Sequence, residues 1–362
     1  MSASAIKRAP GRGGIHGREA VAGWLFTAPL IVILGVFLFI PIVMALYVSL
    51  TNWNGNGSPF AGGDNAQFVG LRNYTSLFTD EGLTRQTFMQ SLNNNFWYVL
   101  LVVPIQTATS FLLALVVNNR FLKGRSFFRT AFYFPSVTSS IAISVVFLVL
   151  FANSGVVNSL LKLVGIDGPQ WFNDARGIFH LGGGEAPAWA TGQILGRSLW
   201  EWTAGPSVAM CVIVILAVWT TTGTFMLMFL AAMQDLPVEV DEAAALDGVS
   251  PWQKLRHVTI PMLRPTFFLV ITLGLIGTWQ VFDQIYVMGK GQPGGTTLTP
   301  AFLSYQQSFT NLKYGSGAAM AFVVFVIIIL LTWFQRWLMS EERTERSRLR
   351  RAQRAAAPGG AA

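Results

Sequence analysis

Charge is scarce in this chain. Only 12% of its 362 residues are Asp, Glu, Lys or Arg, while 52% are hydrophobic; a soluble domain carries roughly 25% charged residues. The hydrocarbon core of a bilayer excludes charge, so the deficit argues against an ordinary soluble domain and for a membrane protein. Cysteine is scarcer still. Cys211 stands alone inside an apolar run, which excludes an internal disulfide framework and any cysteine-based zinc spacing, and leaves it the part of a small buried hydrophobe. The three histidines, His16, His180 and His257, are scattered over a tail and two loops, so no metal site and no Ser/His/Asp set can be assembled from them. No phosphate loop of the form G-x-x-x-x-G-K-[ST] is present, since Gly289-Lys290 is followed by Gly291. The chain therefore has no means of hydrolysing ATP by that motif. The glycines at 182–184 and 291–295 read as loop punctuation. Catalytic residues, a cofactor and a metal on this chain are all absent from the expectation.

What is there is apolar sequence in long runs. Lys7, Arg8, Arg12 and Arg18 precede a stretch that stays apolar to about Leu50, far longer than the ~7–15 residues of a signal peptide core, so it reads as a retained span. A spanning helix needs roughly 20 apolar residues. Six stretches qualify, at 24–50, 96–117, 131–151, 207–233, 266–287 and 317–338. Runs such as FVVFVIIILL do not alternate, which excludes barrel strands, and only a helix closes its own backbone hydrogen bonds in lipid. Of the 25 Lys and Arg residues, 18 fall in 1–19, 118–130, 234–265 and 336–362. The positive-inside rule places these segments, and both termini, in the cytoplasm. The expectation is thus an all-α protein with six transmembrane helices: a basic tail at 1–19, a membrane domain at 20–338 and a second basic tail at 339–362. The net charge of +8 follows from topology beside an anionic lipid leaflet, so nucleic-acid binding is not implied. In the outer segments Trp171, Trp189, Trp200 and Trp202 are candidate interfacial anchors, 156–164 a short amphipathic helix ending at Gly165, and 176–204 an irregular insertion.

The cytoplasmic loop at 234–265 carries the most information. Asp235 and Pro237 initiate a helix over 238–246, Gly248 stands where a left-handed cap is wanted, and Ser250-Pro251-Trp252-Gln253 has the form of a capping box. The second helix is expected to end before Pro261. A kinked pair of short helices, partly apolar and flanked by Asp235, Glu239, Asp241, Glu242 and Asp247, suits a groove on a protein partner better than an anionic lipid surface.

Glu242-Ala243-Ala244, then three residues, Gly248, nine residues and Val258-Thr259-Ile260-Pro261, resembles the EAA loop of binding-protein-dependent ABC transporter permeases. The family has I-x-L-P where this chain has Val258 and Ile260. FVGLRNYTSLF at 68–78, GRSFFRTAFYFPSV at 124–137 and VFDQIYVMGKGQPGG at 281–295 are similar to the carbohydrate-uptake, maltose-transporter branch, with GQP in place of its GGP. The resemblance implies a coupling helix around Glu242, Ala243, Ala244, Gly248 and Pro261. Its expected partners are a second permease subunit, two ATPase subunits that carry ATP-Mg, and an extracytoplasmic solute-binding protein. A sugar or related solute would then cross a bacterial inner membrane by alternating access.

Aligned without gaps on these motifs, Thr221 and Thr224 of span four and Gly274, Gly277, Thr278 and Val281 of span five stand at positions that touch sugar in that branch. The second set follows i, i+3, i+4, i+7, one helical face. Thr224 and Gly277 replace aromatics, so position is carried over and substrate identity is not; Gly and Thr also serve helix packing in membranes. Asp283 is the one acidic residue near a span. A straight helix from Pro265 puts it ~27 Å from the cytoplasmic end, at the outer mouth. The rival reading is an ion-coupled secondary transporter, which wants in-membrane carboxylates and an inverted repeat that the sequence does not clearly supply.

Overall fold

The computed structural model describes residues 18–60, 66–119, 121–181 and 187–356. Lys7, Arg8, Arg12 and His16 of the first tail, the glycines at 182–184 and residues 357–362 of the second lie outside the described residues. Helix α1 (Arg18–Leu34) passes through a wide π-type turn at Gly35–Phe39 into α2 (Ile40–Ser49). Pro41 follows that turn; a proline lacks its N–H and crowds the carbonyl four residues back, and the wider turn accommodates both. Only 6% of this span's most apolar window is buried. Its C-terminal end is held by Ser49 Oγ against the Tyr74 hydroxyl at 2.7 Å and by Asn73 Nδ2 donating to the carbonyls of Ser49 and Thr51. Tyr74 and Asn73 belong to α3 (Arg72–Phe78).

The 36-residue α4 (Leu83–Asn118) is followed by α5 (Arg125–Val137) and α6 (Ser140–Leu150). The expected third span at 131–151 is not one straight helix. Thr138 and Ser139 are extended, with ψ of 148° and 126°, and α5 and α6 meet at 97°. Alone, the 11 residues of α6 reach ~16 Å, about half a hydrocarbon core. Beyond it come α7 (Val156–Leu163), ended at Gly165 with φ of +78°, a hairpin of β1 (Gln193–Ile194) and β2 (Arg197–Ser198), and α8 (Leu199–Thr203).

The central α9 (Val208–Gln234) is followed by α10 (Val238–Leu246) and α11 (Pro251–Lys254). A second π-type turn at Leu255–Thr259 leads into α12 (Ile260–Met262) and then α13 (Arg264–Trp279). Pro261 therefore does not end its helix: the wide turn before it absorbs the missing donor, as at Pro41, and the chain bends by 66° only after Met262. The expected fifth span also stops short of 287. It ends at Trp279, and α14 (Asp283–Met288) starts anew. Asp283 is thus the first residue of a separate short helix and not the end of a straight one. The chain closes with α15 (Pro300–Tyr305) and α16 (Tyr314–Ala356).

Among the described residues, four helices are long and apolar enough to cross a membrane, or up to six if each bent pair is one span. They pack around two apolar clusters. One gathers Phe88, Tyr98, Phe147, Met210, Leu216 and Phe302; the other gathers Phe111, Met226, Phe229, Leu263 and Val270. Helices α4 and α9 run through both. Close approach of α5 to α9 depends on Gly223, where a Cβ would overlap the Phe132 carbonyl and come within 2.7 Å of Ser136 Oγ. Ser136 in turn donates to the Thr220 carbonyl at 2.6 Å and accepts from the Thr224 N–H at 3.2 Å, an interface of small residues and hydroxyls typical of helices packed in lipid.

The insertion at 176–204 docks on α4: Trp97 Nε1 donates to the Trp202 carbonyl at 2.9 Å and Asn93 Nδ2 to that of Glu201 at 3.0 Å. Trp200 stacks on His180 at 3.6 Å and Trp202 Nε1 donates to the Ile194 carbonyl. Trp171 Nε1 donates to Asn158 Oδ1 at 2.7 Å. Three of the four candidate anchor tryptophans thus tie these loop segments together, while Trp189 is exposed. At the start of the insertion, the Arg176 side chain grips Asp174 with two hydrogen bonds of 3.0 and 2.7 Å, and chiefly through them holds that carboxyl below its ordinary value.

Candidate functional site

A cavity of about 300 Å³ opens where one apolar cluster gives way to the other, between α4, α9, α13 and the start of α14. Its apolar wall is Val102, Phe225 and Leu273 with the ring of Tyr98. The polar wall carries hydroxyls, amides and one carboxylate: Thr221, Thr278, Gln106, Gln280 and Asp283. Mixed walls of this kind, mostly carbon with a few aimed polar groups, are the usual make-up of a small-molecule site.

The local reasons for this geometry are in the sequence. Thr221 and Thr278 lie inside helices, where each hydroxyl returns to the carbonyl four residues back, Ala217 and Gly274, at 2.7 Å. Thr221 Oγ1 also lies 2.7 Å from Gln106 Oε1, which joins α9 to α4. Helix α13 stops at Trp279, so the segment Gln280–Phe282 turns across the cavity and presents Asp283, exposed, at its edge. The interruption that shortens the fifth span is what builds this side of the site.

Of the pathway positions taken from the sequence, Thr221, Gly274, Gly277, Thr278 and Val281 line this cavity together. Thr224 does not; it is exposed, its N–H engaged by Ser136, and Phe225 lines the cavity in its place. Gln106 was not singled out by the sequence. The signal was an amide inside the apolar run LLVVPIQTATSFLL, and polar groups at such depth mark pathways more often than packing.

At the other end of α9, the helix pair of 238–262 is built as its capping residues dictate. Helix α10 ends through Gly248, with φ of +67° and its N–H on the Ala245 carbonyl, while Val249 N–H returns to Ala244. Both bonds of the capping box form: Gln253 N–H to Ser250 Oγ at 3.3 Å and Ser250 N–H to Gln253 Oε1 at 3.0 Å. Ala244 is buried, whereas Glu242, Ala243 and Gly248 are exposed and Pro261 is half-buried. Leu246 is 89% and Trp252 67% exposed, so the pair projects apolar side chains that nothing among the described residues covers.

Residues 106–343 match the family model described as the binding-protein-dependent transport system inner membrane component. A lactose transport system permease protein of Rhizobium radiobacter is 32% identical over 327 residues, covering 89% of this chain and 95% of that protein. An arabinooligosaccharides transport system permease protein of Bacillus subtilis is 29% identical, covering 91% of each. A bacterial ABC transporter that imports the acidic polysaccharide alginate has the same fold, with a TM-score of 0.68 at 19% identity over 90% of this chain and 98% of that one. The same type of alginate transporter in complex with its alginate pentasaccharide-bound periplasmic protein gives 0.66 at 21% identity, covering 88% and 94%.

Proposed function

The chain belongs to the family of inner membrane components of binding-protein-dependent transport systems, and from that membership we propose that it is a sugar-translocating permease subunit of an ATP-driven importer. It is a multi-pass membrane protein; in this reading each bent pair is one span, giving six, with both termini in the cytoplasm of a bacterial cell. The observation that carries the solute reading is the mixed cavity between α4, α9 and α13, flanked by hydroxyls and amides suited to a sugar. The relatives that handle lactose and arabinooligosaccharides support a saccharide as the cargo.

Two ATPase subunits supply the energy. The exposed helix pair around Glu242, Ala243, Ala244 and Gly248 seats in a cleft of one of them, Pro261 setting the approach to α13. A second permease subunit completes the pathway, and an external binding protein delivers solute to its outer mouth. ATP closes the ATPase dimer, the helix pairs move, the spans open outward, and hydrolysis resets them. Thr221, Gly274, Gly277, Thr278 and Val281 line the path; Thr224 faces away from the cavity and contributes through packing against α5.

The test is purification of the tagged chain from its native membranes in mild detergent, with the co-purifying chains identified by mass. Recovery of an ATPase and a second EAA-bearing permease is expected. A chain that purifies alone and moves solute in proteoliposomes along an ion gradient, without ATP, would refute the importer reading.

A further inference from the structure

The amide of Gln106 is 1% exposed and only half satisfied. Its oxygen faces Thr221 Oγ1 at 2.7 Å, but that hydroxyl has a single proton and an equally close acceptor in the Ala217 carbonyl. Its nitrogen has no hydrogen-bond partner among the described residues. The nitrogen lies against the α-carbon of Gly274, where any Cβ would overlap it. Turning the amide over lets its N–H₂ donate to Thr221, whose proton then goes to Ala217, but it leaves the oxygen orphaned against Gly274 instead. Either way one end of a buried amide beside the cavity lacks a partner, an exception uncommon enough in folded chains to call for an explanation.

We infer that Gln106 reads hydroxyl groups on the solute, and that the cavity selects neutral polyhydroxyl solutes against anionic ones; this rests on the transport reading above. A hydroxyl both donates and accepts, so it satisfies the amide in either orientation, whereas a phosphate or carboxylate only accepts. The one formal charge on the cavity wall is the Asp283 carboxylate, and no Lys, Arg or His is among the described residues that line it. Exposed at the edge of the cavity, this carboxylate meets an entering anion with like-charge repulsion and a neutral solute with none. The alginate importer with the same fold takes an acidic polysaccharide, so charge selection is a property of each cavity and not of the fold.

The experiment uses the whole complex, purified with this chain, held with ATP and vanadate and free of binding protein. Equilibrium dialysis measures binding of lactose, raffinose, maltotriose and arabinotriose, and of lactobionate as an anionic counterpart. At least one neutral saccharide should bind at least tenfold more tightly than lactobionate. Gln106→Met, close in volume, should weaken that binding about tenfold while the complex melts at the same or a higher temperature, because the change removes an unsatisfied group. Asp283→Asn should narrow the gap between neutral and anionic probes about tenfold. Unchanged neutral affinity in Gln106→Met, or lactobionate bound as tightly as the neutral saccharides by the wild type, overturns the inference and leaves the importer reading standing. Binding of none of the neutral saccharides overturns the inference as well, while the importer reading stands or falls by the purification above.

Discussion

Three glycines in the membrane domain accept the same substitution with different consequences, because each faces a different neighbour. At Gly223 an alanine methyl runs into backbone: the Phe132 carbonyl, and Tyr133 Cα at 2.8 Å. A carbonyl inside a helix cannot step aside, so α5 must move off α9, an overpacking cost of ~1–3 kcal/mol. The two hydrogen bonds of Ser136 across that interface loosen with it, at ~0.5–1.5 kcal/mol each, against a gain of about 1 kcal/mol from alanine's helix propensity. The net expectation for Gly223→Ala is a loss of about 2 kcal/mol, a ~30-fold fall in the folded-to-unfolded ratio and ~4 °C in melting temperature. At Gly274 the obstacle is the flexible end of Gln106, and at Gly277 nothing lies within 4 Å. Gly274→Ala is therefore expected to cost less than ~1 kcal/mol, and Gly277→Ala to be neutral or stabilising by up to ~1 kcal/mol. Thermal unfolding of the three variant complexes in one detergent gives the ranking directly. A Gly223→Ala complex as stable as Gly277→Ala would refute the claim that backbone approach at Gly223 sets the α5–α9 distance.

Other outcomes follow from the same geometry. Gly248→Val places a branched side chain at φ of +67°, and solute-stimulated ATP hydrolysis should fall at least tenfold while membrane insertion is unaffected; normal stimulation would count against a coupling role for α10. Gly277→Trp, at an exposed cavity position with room for its Cβ, should reduce uptake to background in an assembled complex, and unchanged uptake would remove this cavity from the path. The carboxyl of Asp174 is held low by Arg176, so the order it lends to the outer loop is fully present above the unfolded carboxylate value of about 3.9 and is lost as pH falls below it. Hydrogen exchange of residues 170–180, corrected for intrinsic rates, should stay flat from pH 7 to about 4 and then rise, while Asp174→Asn raises it near neutral pH and converges with the wild type in acid, where the carboxyl is neutral too.

Much of this was legible in the sequence where the signal is local. Gly248 and the Ser250–Gln253 box state their own geometry, since few residues other than glycine tolerate that φ and the box needs only two side chains at fixed spacing. Apolar runs located the membrane helices for a similar reason. Angles were not legible. The 97° bend lies at Thr138 and Ser139, residues that also sit quietly inside membrane helices, while Pro135 lies within α5 and not at the break. Hydropathy over 131–151 is continuous through the bend and carries no trace of it. Pro261 misled for the opposite reason: the rule that a proline ends the preceding helix assumes regular α geometry, and the wide turn at Leu255–Thr259 removes that assumption. At the cavity, the positions on α13 were visible as one helical face, whereas on α9 the family resemblance supplied Thr221, which lines the cavity, and Thr224, which does not. Gln106 was not visible, because its meaning depends on Gly274 and Thr221, which are more than a hundred residues away in sequence and adjacent only once α4, α9 and α13 are packed.

The loosely held first span bears on how the molecule is made. It precedes the other described spans in the chain, yet among the described residues its hydrogen bonds to other segments are made at its C-terminal end, by Ser49 on Tyr74 and Asn73, while α2 packs on the much later α16. Neither apolar cluster takes a residue from it, so the helices from α4 onward can assemble without waiting for it to find a place. Its final position is then decided late, when α16 arrives and the assembled subunit meets its neighbours, so damage confined to 21–47 should leave a folded but unassembled subunit in the membrane.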